Sequence, residues 1–131
     1  MTMSSPTNQF NILVKALLPA EVFDYFEIVK VDIEDRVIDV HLDELNLVPE
    51  EYLKEKLISK GFHEPAVFQD FPLRGKAVYL HVRRRKWLVE NSGKIISRQW
   101  DLSAKGTRYT KDFATFLKEL HGYIPNKWEK P

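Results

Sequence analysis

The chain has 131 residues, 44% of them hydrophobic, with a formal net charge of +1 and no cysteine. That length fits one domain able to bury roughly two thirds of its unfolded surface, and the missing thiols exclude a disulfide framework and any cysteine-ligated zinc. No apolar run approaches the ~20 residues that span a bilayer, and the opening MTMSSPTNQ lacks a basic n-region with a long apolar core, so a cytoplasmic protein without membrane contact is expected.

Charge is uneven along the chain. Residues 1–73 carry six basic and fourteen acidic groups, residues 74–111 eleven basic and two acidic, and residues 112–131 three of each. An acidic half joined to a basic one is the pattern of a nucleic-acid face with an acidic opposite face. Alternatively the two halves neutralise each other within the fold, and composition leaves both readings open.

In chain order, residues 1–8 are small and polar, a frayed end. Phe10, Leu13, Val14, Leu17 and Leu18, then Val22, Phe23 and Phe26, follow helical spacing and predict two short helices broken at Pro19 that cover the core. Pro19 suits the first turn of the second helix, and Glu21 favours that end of its dipole. From Phe26 to Glu44 the pattern is a β-hairpin turning at Glu34-Asp35. Its carboxylates, Asp32, Glu34, Asp35, Asp39, Asp43 and Glu44, lie on the turn or the polar face with no glycine-bearing calcium loop, so no metal is expected. Leu47 to Gly61 predicts a helix, with Pro49, Glu50 and Glu51 at its start, Tyr52, Leu53, Leu57 and Ile58 on one face and Gly61 as C-cap.

Phe62 to Phe71 then reads as a strand and Phe71 to Gly75 as a turn. Lys76 to Leu88 alternates. Val78, Leu80 and Val82 face a core, while Tyr79, His81, Arg83, Arg85 and Trp87 form an outward row of aromatic and cationic groups about 6.6 to 7 Å apart, close to the spacing of phosphates along a strand. Glu90 to Gly93 closes a hairpin whose return, Lys94 to Leu102, carries Ile96, Trp100 and Leu102, with Arg98 joining the basic surface. Four consecutive cations, Arg83 to Lys86, repel one another unless counterions or a polyanion lie against them. Tyr79, His81 and Trp87 are placed to stack on bases; the other reading makes Tyr79 and Trp87 core and pairs the arginines with the acidic half. A last helix starts at Thr110, buries Phe113, Phe116, Leu117 and Leu120 and ends at Gly122. Lys105-Gly106-Thr107-Arg108 makes its approach basic, and the helix N-terminus flanked by the Thr107 and Thr110 hydroxyls is a second anion contact. The tail from Ile124 holds Trp128.

No catalytic set stands out. There is no cysteine nucleophile, no Gly-x-Ser-x-Gly and no phosphate-cradling glycine loop, and His41, His63, His81 and His121 lack metal-ligand spacing. The expectation is a protein that is not an enzyme and uses no cofactor, of α+β class: N-terminal helices, an acidic hairpin, a central helix, and a basic antiparallel sheet packed by a C-terminal helix.

Gln69-Asp70-Phe71-Pro72, Gly75, Val78, Leu80, Arg84-Arg85 and Gly106-Thr107-Arg108-Tyr109-Thr110 resemble the N-terminal region of insertion-sequence transposases of the ISL and ISAon type. In that family a D-L-P…G…V-x-L…R-R-F segment enters a zinc-ribbon-like hairpin, followed by a helical DNA-binding region and a catalytic domain. The resemblance covers residues 58–123 and is closest to the ISAon branch, where this region occurs as a short separate protein. The cysteine pairs of the zinc-ribbon relatives are absent, so hydrophobic packing and the Glu90 to Lys94 turn must hold the hairpin. The resemblance implies recognition of transposon-end DNA. It also implies no strand transfer by this chain, which stops before the acidic-triad domain that uses two metal ions, and action beside a separately encoded catalytic protein; a homodimer stays open. Arg74, Lys76, Tyr79, His81, Arg83, Arg84, Arg85, Lys86, Trp87, Lys94, Arg98, Lys105, Thr107, Arg108 and Lys111 are the DNA-contact candidates. A protein-docking module, binding the catalytic protein or another acidic partner, is the alternative.

Overall fold

A computed structural model of the chain describes residues 6–123 apart from Glu21, Asp101 and Lys105. The fold is α+β. Helices α1 (Pro6–Leu17) and α2 (Val22–Tyr25) lead into strands β1 (Phe26–Ile33), β2 (Val37–Glu44), β3 (Leu57–Phe62), β4 (Ala66–Leu73), β5 (Lys76–Arg83), β6 (Arg85–Val89) and β7 (Lys94–Ile96), and helix α3 (Lys111–Tyr123) follows. Two sheets result: one of four strands in the order β1-β2-β5-β4, and one of three in the order β3-β6-β7. All pairings are antiparallel except β2 with β5. That parallel pair is permitted by the long β3–β4 excursion between its strands.

Alternation builds the first core. Val40 and Leu42 of β2, and Val78, Leu80 and Val82 of β5, point to one side and are buried with Val22, Phe26 and Leu102. Each such side chain contributes roughly 1.5–3 kcal/mol relative to exposure. Trp100 packs there too, its ring 4.9 Å from Tyr25 and 4.8 Å from Phe26. Its buried Nε1 has no hydrogen-bond partner among the described residues. The second sheet has its own small core of Trp87, Val89 and Ile96, backed by Tyr52 and Leu57.

The acidic hairpin forms as its pattern predicts, with the turn between Ile33 and Val37. The Glu90 to Gly93 turn closes β6 onto β7, and the Gly93 N–H donates to the Val89 carbonyl. The β4–β5 turn is shorter than the predicted Phe71 to Gly75. Only Arg74 and Gly75 lie between the strands, both with positive φ, 53° and 79°, the two-residue geometry whose twist suits a hairpin.

Other expectations are corrected. The predicted helix from Leu47 to Gly61 is a single 3-10 turn, Glu50–Tyr52, followed by strand β3. The helix-start signals extend over one turn only, and Leu57-Ile58 pairs with Val89 and Leu88 of β6 instead. Gly61 does have positive φ, 84°, yet it lies within β3 where the register with β6 shifts, a bulge rather than a cap. The predicted strand from Phe62 to Phe71 is divided between the end of β3 and β4, with residues 63–65 between them. The return strand ends at Ile96, well before Leu102.

The helices also cover less core than expected. On α1, Phe10, Leu13 and Leu17 are exposed, Phe10 by 66%. On α3, Phe113 and Ala114 are buried whereas Phe116 and Leu120 are exposed. Phe71 of β4 holds α3 through rings 5.2 Å from Phe113 and 5.5 Å from Phe116. Helix α1 starts at Pro6, inside the segment read as frayed, and α3 runs past Gly122 to Tyr123. Glu21, Lys105 and the tail with Trp128 lie outside the described residues.

Candidate nucleic-acid interface

One continuous stretch of chain belongs to both sheets. Strand β5 ends at Arg83 in the four-stranded sheet, and β6 begins at Arg85 in the three-stranded one. The odd-numbered residues, which face away from the first core on β5, meet the second core on β6. Trp87 is therefore 1% exposed, a correction to its predicted place in the outward row. Its Nε1 donates to Asn46 Oδ1 at 2.9 Å.

The rest of that row is engaged by acidic partners. Parallel register sets Asp43 beside Arg83 and His41 beside His81. Arg83 donates through Nε and Nη2 to the two oxygens of Asp43, both at 2.6 Å, and this hydrogen bonding raises the guanidinium pKa above its ordinary value. His81 Nε2 lies 2.7 Å from Asp39 Oδ1. The His81 ring stacks on His41 at 4.5 Å, and His41 in turn faces Asp32 at 3.6 Å. The Asp39 and Asp43 carboxylates, read as solvated, are thus partners of the basic strand.

Glu44 goes further and joins the sheets. It sits on the same face of β2 as Val40 and Leu42 and is 1% exposed. It accepts from the Arg85 N–H at 2.9 Å, and its other oxygen faces Arg98 Nε at 3.4 Å. Arg85 also donates to the Glu44 carbonyl and to Ser59 Oγ, and Arg98 donates to the Leu47 carbonyl at 2.7 Å. Arg98 lies 4.6 Å from the centre of the Tyr25 ring, while Arg83 and Arg85 both lie over Phe62. Arg85 and Arg98 are therefore half-buried and engaged within the fold.

Arg84 and Lys86 differ. Among the described residues neither has an ion pair or a side-chain hydrogen bond. Both act on His63, whose backbone N–H donates to the Arg84 carbonyl and whose Nε2 lies 2.5 Å from Ser97 Oγ. The His63 pKa is lowered from 6.5, first by burial, then by Arg84 and Lys86, with Glu44 opposing. Lys86 shares its side of β6 with Leu88, whose cross-strand neighbours Ile58 and Ile95 are exposed. Lys60 and Lys94 are exposed on β3 and β7.

The remaining candidates scatter. Arg74 is exposed in the β4–β5 turn, and Lys76 donates to the Asp35 carbonyl at 2.8 Å. Tyr79 and Arg108 line one groove on the outer side of β4 and β5. The Thr107 hydroxyl folds into its own loop, donating to the Ala104 carbonyl at 2.8 Å. Lys111 is exposed at the start of α3. The anion site expected at that helix start is closed: Thr110 is 2% exposed and its hydroxyl donates to Asp70 at 2.7 Å, while Asp112 occupies the first turn. Two carboxylates there repel a phosphate. Sequence reading missed His63 and Glu44 as members of this region. The signal for Glu44 was its even spacing with Val40 and Leu42.

The two separated stretches that carry the transposase resemblance meet in space. Gln69 N–H donates to the Arg108 carbonyl, Thr110 N–H to the Gln69 carbonyl, and Thr110 Oγ1 to Asp70. No family model, curated protein or solved structure matches the chain.

Proposed function

We propose that this protein is a non-catalytic, cytoplasmic DNA-binding protein that recognises transposon-end DNA beside a separately encoded transposase catalytic protein. The observation that carries the proposal is the division of the basic run. Arg83 and Arg85 have internal carboxylate or hydroxyl partners, whereas Arg84 and Lys86 have none among the described residues. Unneutralised cations on a sheet face raise the energy of the free protein, and a phosphate backbone removes that cost while releasing its own counterions. The union of the two resemblance-bearing stretches into one hydrogen-bonded unit supports the transposase relationship. The DNA face is smaller than the sequence implied: Arg84 and Lys86 at its centre, with Lys60 of the neighbouring strand β3 beside them.

Fluorescence anisotropy with a duplex of about 20 base pairs across a salt series tests this, because log K falls by ~0.9 per decade of salt for each phosphate neutralised. Wild type should give a slope near −2 to −4. Absence of binding at low salt would remove the proposal.

The second reading, a docking module, is favoured by one feature, the exposed apolar stripe of Phe10, Leu13 and Leu17 on α1. A catalytic partner seated there is compatible with DNA on the three-stranded sheet, since the two readings use different residues.

A further inference from the structure

The outer side of β4 and β5 holds a groove of about 400 Å³ lined by Pro65, Ala66, Val67, Gln69, Tyr79 and Arg108. Cross-strand register sets Gln69 directly beside Tyr79. The bridge from Gln69 to Tyr109 brings Arg108 to the same place. In this molecule polar side chains on β5 and β6 are generally engaged, as His81, Arg83, Arg85 and Trp87 show. The Tyr79 hydroxyl on β5, the Gln69 amide on β4 and the Arg108 guanidinium beside them have no side-chain hydrogen bond or ion pair among the described residues.

An aromatic ring, an amide with both donor and acceptor, a guanidinium and an apolar wall are complementary to one nucleotide. A ring face stacks a base whatever its identity, an amide reads a base edge, and a guanidinium clamps a phosphate. The volume lies within the range of small-ligand sites. A base paired within a duplex cannot enter such a groove, because its faces are already stacked on its neighbours. We infer that this groove takes a single unpaired nucleotide of a DNA strand. Tyr79 would stack on the base, Gln69 contact its edge and Arg108 its phosphate. The inference rests on the DNA-binding reading above and extends it from duplex to a site with an unpaired end.

The test compares a blunt duplex with the same duplex bearing a short overhang that contains 2-aminopurine, whose fluorescence is quenched by stacking. Wild type should bind the overhang about 10-fold more tightly than the blunt form, with quenching. Tyr79→Ala and Arg108→Ala should each bring that ratio toward one, while Tyr79→Phe, which keeps the ring, should preserve it. Equal affinity for the two forms, or an unchanged ratio in both Ala variants, would overturn the inference and leave the duplex reading intact. Binding of neither form would overturn both. Displacement of the overhang by micromolar deoxyadenosine monophosphate would assign the groove to a free nucleotide and likewise overturn the strand inference.

Discussion

Glu44 is a carboxylate on the core side of its strand, enclosed by the Arg85 N–H and the Arg98 guanidinium. Removing one member of a buried pair leaves the other charge unmatched, at a cost of ~3–5 kcal/mol. Glu44→Ala should therefore lower the urea midpoint strongly, while Arg84→Ala, which breaks no internal pair, should stay within about 0.5 kcal/mol of wild type. Equal losses would show that the two residues share one role. His63 gives a pH-dependent expectation. Its folded pKa lies below the ordinary 6.5, so above that pH it is neutral in both states and contributes nothing. As pH falls below 6.5 the unfolded chain takes the proton first, and stability declines until the folded pKa is passed. A phosphate beside Arg84 and Lys86 cancels part of the opposing field, so DNA binding should take up a proton at His63. Affinity should tighten as pH falls below the ordinary histidine value of 6.5, and His63→Gln should flatten that trend. A trend unaltered by the substitution would place the linked proton elsewhere.

Among the elements, what was legible followed from alternation. The β1–β2 hairpin, the inward set Val78, Leu80 and Val82, and the Glu90 to Gly93 turn could all be read from a period of two and from turn residues. What could not be read was where a strand changes sheets. The alternation from Lys76 to Leu88 is uninterrupted in sequence, and only the second core explains why Trp87 turns inward while Tyr79 does not. The same limit applies to residues 47–61, where one turn of helix-start residues suggested a helix and pairing with β6 prevailed over propensity. Trp87→Ala should cost ~3–5 kcal/mol, the usual range for a buried aromatic truncated to Ala. As an outward stacking residue it would instead cost little stability and much affinity. Gly75 makes a cleaner local test. A Cβ there meets nothing within 4 Å, so Gly75→Ala should cost only the strain of its positive φ, ~1 kcal/mol, measured as a shift of the chemical midpoint with unchanged slope. A much larger loss would mean that the turn contacts something more.

For the molecule as a whole, the reading in which the acidic and basic halves neutralise each other holds for part of the basic run. The acidic and basic halves do meet, because β2 lies parallel to β5 and matches Asp39 and Asp43 to His81 and Arg83. Arg84 and Lys86 escape that match because they occur where the strand leaves the four-stranded sheet and on the opposite side of β6. The candidate site was thus legible as a region but not residue by residue, since a sequence shows four adjacent cations and only topology divides them. Helix α1 was legible as an amphipathic helix, but nothing in its pattern said that its stripe would stay uncovered. Leu13→Glu on that stripe should leave the thermal midpoint nearly unchanged, within about 0.5 kcal/mol of wild type as for a surface site, and weaken capture of a co-expressed catalytic partner. A collapse of the midpoint would instead make α1 part of the core.

The central claim is that strand geometry gives alternate members of one basic run to structure and to DNA. Its most direct test is the salt dependence of duplex binding for two variants in parallel, Arg84→Ala/Lys86→Ala and Arg83→Ala/Arg85→Ala. The first should reduce the log-log slope by ~1.8 with stability kept, and the second should lose stability while the folded fraction retains nearly the full slope. Equal reductions of slope in both variants would contradict the division and return all four cations to a single binding surface.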